Sequence, residues 1–471
     1  MPSPEATTLN ETPLHGGDCY MAKTDLTDST AFTPTRRAVL AGIAATAALA
    51  TGARAALAAT PTSGKLTITV LDFLEAPLKP VFEAYKKARP GVEIEYNVAP
   101  SHDTELIPLM MSRALAGKLT DIVFLFDELA ALYADANITA DLRPYFASGG
   151  PVTASYFAKP FLDQYLITSG DKKGGYYGLP YGADTVVQFY NKRHFDEAGI
   201  PYPTGDWTFD EMTAIADKLT KRDGGKTTRY GLAAQIPWQA TYVPGIEAWG
   251  GSVLRDDGTI NLTSDAALKT FTMYWDQAKK GIIASYTQSP NGDIWSAFSS
   301  GLASMTQTVR ALVPSFRSSM KDDWDVCFTP KINGVHKTGM GSLAMDATPS
   351  GVANNADLVY DFITWYYSAD GAMGILSSTY AIVPPVESLY DSPVWRKLPG
   401  PPSNTSVFSD SIAFGAINPN TIPHAVQSVI NKQLRDAEDS VVLNGADPKE
   451  QLANAEAAVN QALAEQIAKK G

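Results

Sequence analysis

Lys65-Leu-Thr-Ile-Thr-Val-Leu71, a helical spacing over 81–88, Val92-Glu-Ile-Glu-Tyr96, a helical stretch over 106–116 closed by Gly117, and then Asp121-Ile-Val-Phe-Leu-Phe126 form the run that decides the fold class. The first and third segments alternate at the period of two that a pleated strand imposes. The last is continuously apolar, as a strand covered on both faces would be. Strands interleaved with helices of this length imply βαβ units and a mostly parallel sheet, so the chain is read as α/β.

Upstream of this run, Thr35-Arg36-Arg37-Ala38-Val39-Leu40 places two arginines ahead of an apolar, Ala-rich stretch that ends in Ala53-Arg54-Ala55 and Ala56-Leu57-Ala58. A basic region, a short apolar region and small residues at a cleavage site make a signal peptide. The apolar stretch is too short and too alanine-rich to span a bilayer. The paired arginines point to twin-arginine export and a periplasmic destination. Residues 1–58 are read as this signal with a long polar leader, and Met21 is an alternative start.

Downstream, a second α/β series begins near Tyr181. Thr208-Phe-Asp-Glu211 has the form of a capping box ahead of a helix. Arg255-Asp-Asp-Gly-Thr259 reads as a hairpin turn, because the further ligand positions of a calcium loop are missing. Trp238 and Trp249 stand on either side of an expected break at Pro244-Gly245. Prolines cluster over 384–406, and 448–468 closes the chain as an amphipathic helix.

A chain of 471 residues is too long for one small core. With 45% hydrophobic and 19% charged residues it is not a disordered polymer. Its 38 Lys and Arg against 50 Asp and Glu give −12, which argues against a nucleic-acid or anionic-lipid surface. Two cysteines exclude a disulfide scaffold, and Cys327 is expected to be a buried small hydrophobe. The five histidines form no His-Glu-x-x-His pair. Gly225-Lys226-Thr227 lacks the P-loop glycine, Thr220 standing in its place. Neither a Gly-x-Ser-x-Gly elbow nor a Gly-x-Gly-x-x-Gly fingerprint is present. No cofactor, metal or catalytic residue is therefore expected, although a glycosidase pair of carboxylates far apart in sequence stays open.

Gly175-Tyr-Tyr-Gly-Leu-Pro180, Val186-Val-Gln-Phe-Tyr-Asn-Lys192, Phe195-Asp-Glu-Ala-Gly-Ile-Pro201 and Trp207-Thr-Phe-Asp-Glu211 occur in this order. Ala114-Leu-Ala-Gly117, Trp249-Gly-Gly251, Phe298-Ser-Ser-Gly-Leu-Ala-Ser-Met305 and Gly341-Ser-Leu-Ala-Met345 accompany them. Together they resemble the family 1 extracellular solute-binding proteins, the maltose-binding-protein-like sugar-capturing components of ABC importers. Leu302 departs from the family's usual lysine. The resemblance implies two α/β lobes joined by crossing strands, a sugar held in the cleft without turnover, and a monomer that serves permease subunits in the inner membrane. It places crossings near 182–184, 336–341 and Pro384. Lobe I would comprise 60–182 plus 337–385, and lobe II 183–336 plus 386–471.

A sugar needs planar hydrogen-bonding groups and aromatic platforms. Asp72 and Asp127 follow the ends of expected strands and would face the cleft, and capping of a nearby helix is the competing role. The resemblance matches Asp127 to a ligand carboxylate. Tyr181 and Asp184 flank the first crossing. Trp238 and Trp249 are candidate platforms or core residues. Arg310 could hold two adjacent hydroxyls, Gly341 and Ser342 would offer backbone amides, and Tyr380 is a further contact. The pairs Tyr176-Tyr177 and Tyr366-Tyr367 suggest ferric-ion ligands, against which the apolar helix around the second pair favours packing. A secreted carbohydrate-active enzyme, or a binder of a non-sugar solute, is the alternative.

Overall fold

The computed structural model describes residues 61 and 63–470 apart from 102, 169, 290–293, 380–381, 397–398 and 418–423. The stretch 1–58 expected to be an export signal and Tyr380 lie outside the described residues.

Two five-stranded sheets organise the chain. The first has the order β2 (Val92–Ala99), β1 (Gly64–Leu71), β3 (Ile122–Phe126), β14 (Leu343–Ala347) and β4 (Leu179–Pro180). The second has the order β10 (Ile283–Ala284), β9 (Leu232–Ala233), β11 (Met305–Thr308), β6 (Val187–Asn191) and β12 (Trp324–Cys327). A three-stranded sheet of β15 (Gly415–Ile417), β13 (Thr338–Gly341) and β5 (Asp184–Thr185) stands where the chain passes between them. The exposed hairpin of β7 (Lys221–Asp223) and β8 (Lys226–Arg229) completes the set.

Each large sheet is half parallel and half antiparallel, which corrects the expectation of a mostly parallel sheet. β1 runs parallel to β2 and β3, whereas β14 runs against β3 and β4. Likewise β9 is parallel to β10 and β11, whereas β6 opposes β11 and β12. The reason is the route of the chain. A strand that enters directly from the connecting sheet, as β6 follows β5 and β14 follows β13, starts at the end where the βαβ strands finish.

β3 is buried through its first four residues, in line with its unbroken apolar sequence. The first core joins Leu66, Ile68 and Val70 of β1 to Leu78, Val81 and Phe82 of the helix Glu75–Ala88 and to Phe362 and Ile363 of the helix Pro349–Tyr366. Arg89 clamps these helices by donating from Nε and Nη2 to the Asp361 carboxylate at 2.9 and 3.0 Å. The second core gathers Phe271 and Trp275 with Val426, Ile430, Leu434, Ala437 and Val441, and with Leu452, Ala455, Val459 and Leu463. The three- and four-residue steps of these last two sets are those of paired helices, here His424–Val442 and Pro448–Lys470.

Cys327 is buried. The capping box forms: the Glu211 amide donates to Thr208 Oγ1 at 3.2 Å, and the Thr208 amide donates to Glu211 Oε2 at 2.8 Å. Arg255-Asp-Asp-Gly-Thr259 is a turn, with the Arg255 amide on the Thr259 carbonyl at 2.8 Å and Gly258 at φ +81°. The break at Pro244-Gly245 does not occur: the helix Gln239–Ala248 runs through both residues. Gly245 instead permits close packing, since a Cβ there would stand 2.5 Å from Thr270 Cγ2. No helix among the described residues is long and apolar enough to cross a membrane.

Candidate functional site

Three parallel strands finish on the same device. β1 passes into the 3-10 turn Asp72–Leu74, β3 into Asp127–Leu129 and β11 into Arg310–Leu312, each from an extended residue. In open α/β sheets the groups beyond such strand ends form the ligand crevice. Here the crevice holds a cavity of about 440 Å³. Its walls come from the turn after β1 (Phe73, Leu74), the crossing 181–184, the turn after β11 (Ala311) and the return at Ser342 and Leu343.

Asp184 faces this cavity, half-buried. The Arg310 amide donates to its Oδ1 at 3.1 Å. Burial pushes its carboxyl up to about 7, against the opposing pull of the Arg310 charge and of the Arg310 and Ala311 amides. Arg310 itself is fully buried. Its Nη2 donates to the Ser377 carbonyl at 3.2 Å, and its guanidinium lies 5.5 Å from the Phe408 ring centre. The Arg310 side chain thus links the strand end of the second sheet to the helix Ala372–Ser378, which packs in the first core.

Asp127 is brought to the return crossing, where its Oδ2 accepts the Ser342 amide at 3.0 Å, and Gly341 stands beside the same oxygen. The Ser342 hydroxyl donates to the Gly182 carbonyl, so the two crossings are tied together. Gly182 is required by close approach, because a Cβ there would stand 2.3 Å from Ile382 Cγ2. Tyr181 is buried edge-on to Phe124 with its ring centre 5.9 Å away, and it lines the cavity. Burial raises its phenol, with the Asp184 charge adding to the effect.

The structure therefore brings Asp127, Tyr181, Asp184, Arg310, Gly341 and Ser342 together. Asp72 is exposed at the adjoining strand end, its Oδ1 accepting the Phe73 amide at 2.7 Å. Trp238 and Trp249 sit at opposite ends of the helix Gln239–Ala248, about 15 Å apart at a rise of 1.5 Å per residue. Trp238 is half-buried and meets the Trp295 ring edge-on at 6.3 Å. Trp249 packs against the second core under the Lys269 ammonium. Neither tryptophan lines the cavity. Tyr366 and Tyr367 are fully buried and donate to the Tyr181 and Pro180 carbonyls at 2.9 and 2.7 Å. They brace the first crossing.

One aromatic residue was not among the expected contacts. Phe73 is 49% exposed yet lines the cavity, its ring 6.3 Å from that of Phe126. Its signal in the sequence is its place directly after Asp72, one step past the end of an alternating strand.

Residues 81–402 match the family model of bacterial extracellular solute-binding proteins, and the chain belongs to that family. A binding protein of Brucella abortus is 28% identical over 262 residues, which are 54% of this chain and 60% of that protein. The chain thus spans about 60% of the length of the curated relatives it matches. The sugar-binding protein MalE of Xanthomonas citri superposes with a TM-score of 0.70 at 18% identity, over 86% of this chain and 98% of that one. UgpB of Mycobacterium tuberculosis, in complex with glycerophosphocholine, superposes at 0.71 with 16% identity, over 86% and 100%. The fold is that of the two-lobed periplasmic binding proteins.

Proposed function

We propose that this protein captures a sugar, as a mono- or oligosaccharide or a sugar alcohol, between its lobes and delivers it to the permease subunits of an ABC importer in the inner membrane. The observation that carries this reading is the cavity walled jointly by the turns after β1 and β11 and by both crossings, with the Asp184 carboxylate in its wall. A wall assembled from both sheets lets lobe closure and ligand burial be one event. Lobe I is 60–182 plus 337–385 and lobe II is 183–336 plus 386–471, a division supported by the first core, which draws on the former apart from Val386, and by the second, which draws on the latter, with a third cluster of Phe161, Val187, Phe189, Met340 and Val383 spanning the junction. Asp72, Asp127, Tyr181, Asp184, Trp238, Trp249, Arg310, Gly341, Ser342 and Tyr380 are the proposed contacts, with the cavity-lining set first among them. The protein binds without turnover, acts as a periplasmic monomer and is exported through the signal at 1–58.

The sugar-binding name of the Xanthomonas neighbour agrees with this reading. A phosphodiester such as that held by the Mycobacterium neighbour is opposed by charge. Asp72, Asp127 and Asp184 gather at the crevice, and the Arg310 guanidinium is directed to the Ser377 carbonyl and the Phe408 ring. Carboxylates accept hydroxyl protons and repel phosphate. A thermal-shift screen of sugars, polyols, amines, amino acids, glycerophosphodiesters and ferric salts tests the assignment. A shift confined to any non-sugar class overturns it, and catalytic accumulation of product from a glycan overturns the absence of turnover.

A further inference from the structure

Among the described residues, the walls of the cavity offer little hydrogen-bonding capacity for a ligand rich in hydroxyls. Phe73, Leu74, Pro77, Ala311, Leu343 and Ile382 present hydrocarbon to it. Tyr181, buried in the wall, adds a single phenol, and of the aliphatic hydroxyls at the edge, that of Ser342 is engaged by the Gly182 and Leu343 carbonyls. That of Thr379 donates to the Leu376 carbonyl at 3.0 Å. Asp184 is the one carboxylate lining the cavity among the described residues, and it already accepts the Arg310 amide. A bare sugar placed there would surrender the hydration of several hydroxyls and find few partners. The polar groups that suit a sugar lie beside the cavity instead: Asp127 is bonded to the Ser342 amide, and Asp72 adjoins Phe73.

We propose that the cavity holds an apolar aglycone, so that the ligand is a glycoside whose aryl or alkyl group fills the space between Phe73, Leu74 and Ala311 while its sugar ring lies toward the adjoining carboxylates. This rests on the sugar reading above and narrows it. Phe73 supplies a ring face for an aryl group, and the remaining wall supplies the aliphatic contacts that exclude water. Asp184 is placed to accept a hydrogen bond from one hydroxyl next to the glycosidic bond.

The test is isothermal titration of the full protein with a series of free sugars and the phenyl glycoside of each. The expected result is that at least one phenyl glycoside binds about tenfold or more tightly than its own sugar. In Ala311→Leu, which fills the cavity from an exposed turn position, that preference should fall below about threefold, while Leu115→Ala, which removes an exposed side chain away from the cavity wall, should keep it. A free sugar that binds as tightly as every one of its glycosides overturns the aglycone inference and leaves the sugar reading standing. A preference that survives in Ala311→Leu also overturns it, since the aglycone then lies elsewhere. Binding by neither series overturns the sugar reading itself.

Discussion

The Asp127 carboxylate and the Ser342 amide meet at 3.0 Å and join the end of β3 to the junction of β13 and β14. Through the Ser342 hydroxyl on the Gly182 carbonyl, the same contact reaches the other crossing. Three segments distant in sequence are locked at one point, so Asp127 has a structural task besides any contact with ligand.

Asp127→Ala should therefore lower the stability of the unliganded protein by about 1–3 kcal/mol, because the Ser342 amide loses its acceptor. Asp127→Asn, which keeps an acceptor oxygen, should recover most of that loss. Urea unfolding of the two variants measures the difference. Equal stability of Asp127→Ala and the parent protein would show the contact to be dispensable.

Three carboxyls raised by burial set a pH dependence, Glu438, Asp184 and Asp346, the last pushed well above its ordinary value. Glu438 accepts the Tyr286 amide at 3.2 Å and the Trp275 indole at 3.4 Å, and burial pushes it up to about 8; Asp184 is pushed up to about 7. A carboxyl raised above its unfolded value binds more protons folded than unfolded, so its contribution is complete below about pH 4 and is lost as pH rises through 7 to 8. His194 opposes this between about pH 6.5 and 4, since burial and the charges of Arg229 and Arg193 hold it down to about 4. Glu197 and Asp322, each held down to about 2 by hydrogen bonds from basic side chains, lose their contributions only below about pH 4. Melting temperature should thus fall between pH 5 and pH 8, and Glu438→Gln should flatten that fall. An unchanged profile in the variant would remove Glu438 from the account.

Arg310→Ala should cost about 2–4 kcal/mol, because it opens a cavity among buried groups and leaves the Ser377 carbonyl without the guanidinium. It should also raise the Asp184 carboxyl further, since the Arg310 charge pulls it down. Calorimetry across pH reads both effects. A variant as stable as the parent protein would show that this side chain does not hold the second sheet to the helix Ala372–Ser378.

The fold was legible where periodicity is long. The alternating stretch of β1 and the apolar run of β3 declare themselves. β4 and β5 have two residues each, and their pairing is imposed by the return strands, so no local pattern could show it. The strand-end rule located Asp72, Asp127 and Arg310. Composition could not separate Trp238 from Trp249, because a tryptophan at a helix end looks the same whether its ring meets Trp295 or covers a core beneath Lys269. Phe73 escaped notice because an apolar residue after a strand reads as core, so its place next to Asp72 gains meaning only from its exposure in three dimensions.

If Arg36-Arg37 is the twin-arginine export signal proposed above, replacing both by Lys should leave the protein in the cytoplasm, because such a pair is read as an address and not as generic positive charge. Fractionation of cells expressing the double variant measures this. Normal export would show the pair to be incidental.

Phe73→Ala separates binding from folding most cleanly. The side chain is 49% exposed, so its loss should change unliganded stability by no more than about 0.5 kcal/mol beyond its contact with Phe126. If the ring is a platform for ligand, affinity should fall about tenfold, or about 1.4 kcal/mol. With ligand at about 100 times the parent dissociation constant, the parent gains about 2.7 kcal/mol and the variant about 1.4, so the thermal shift should roughly halve. Leu115→Ala removes an even more exposed apolar side chain, 92% exposed and away from the cavity wall, and should leave the shift intact. A full shift in Phe73→Ala would place the ligand away from the turn after β1, whereas a reduced shift in both variants would trace the loss to stability and not to contact.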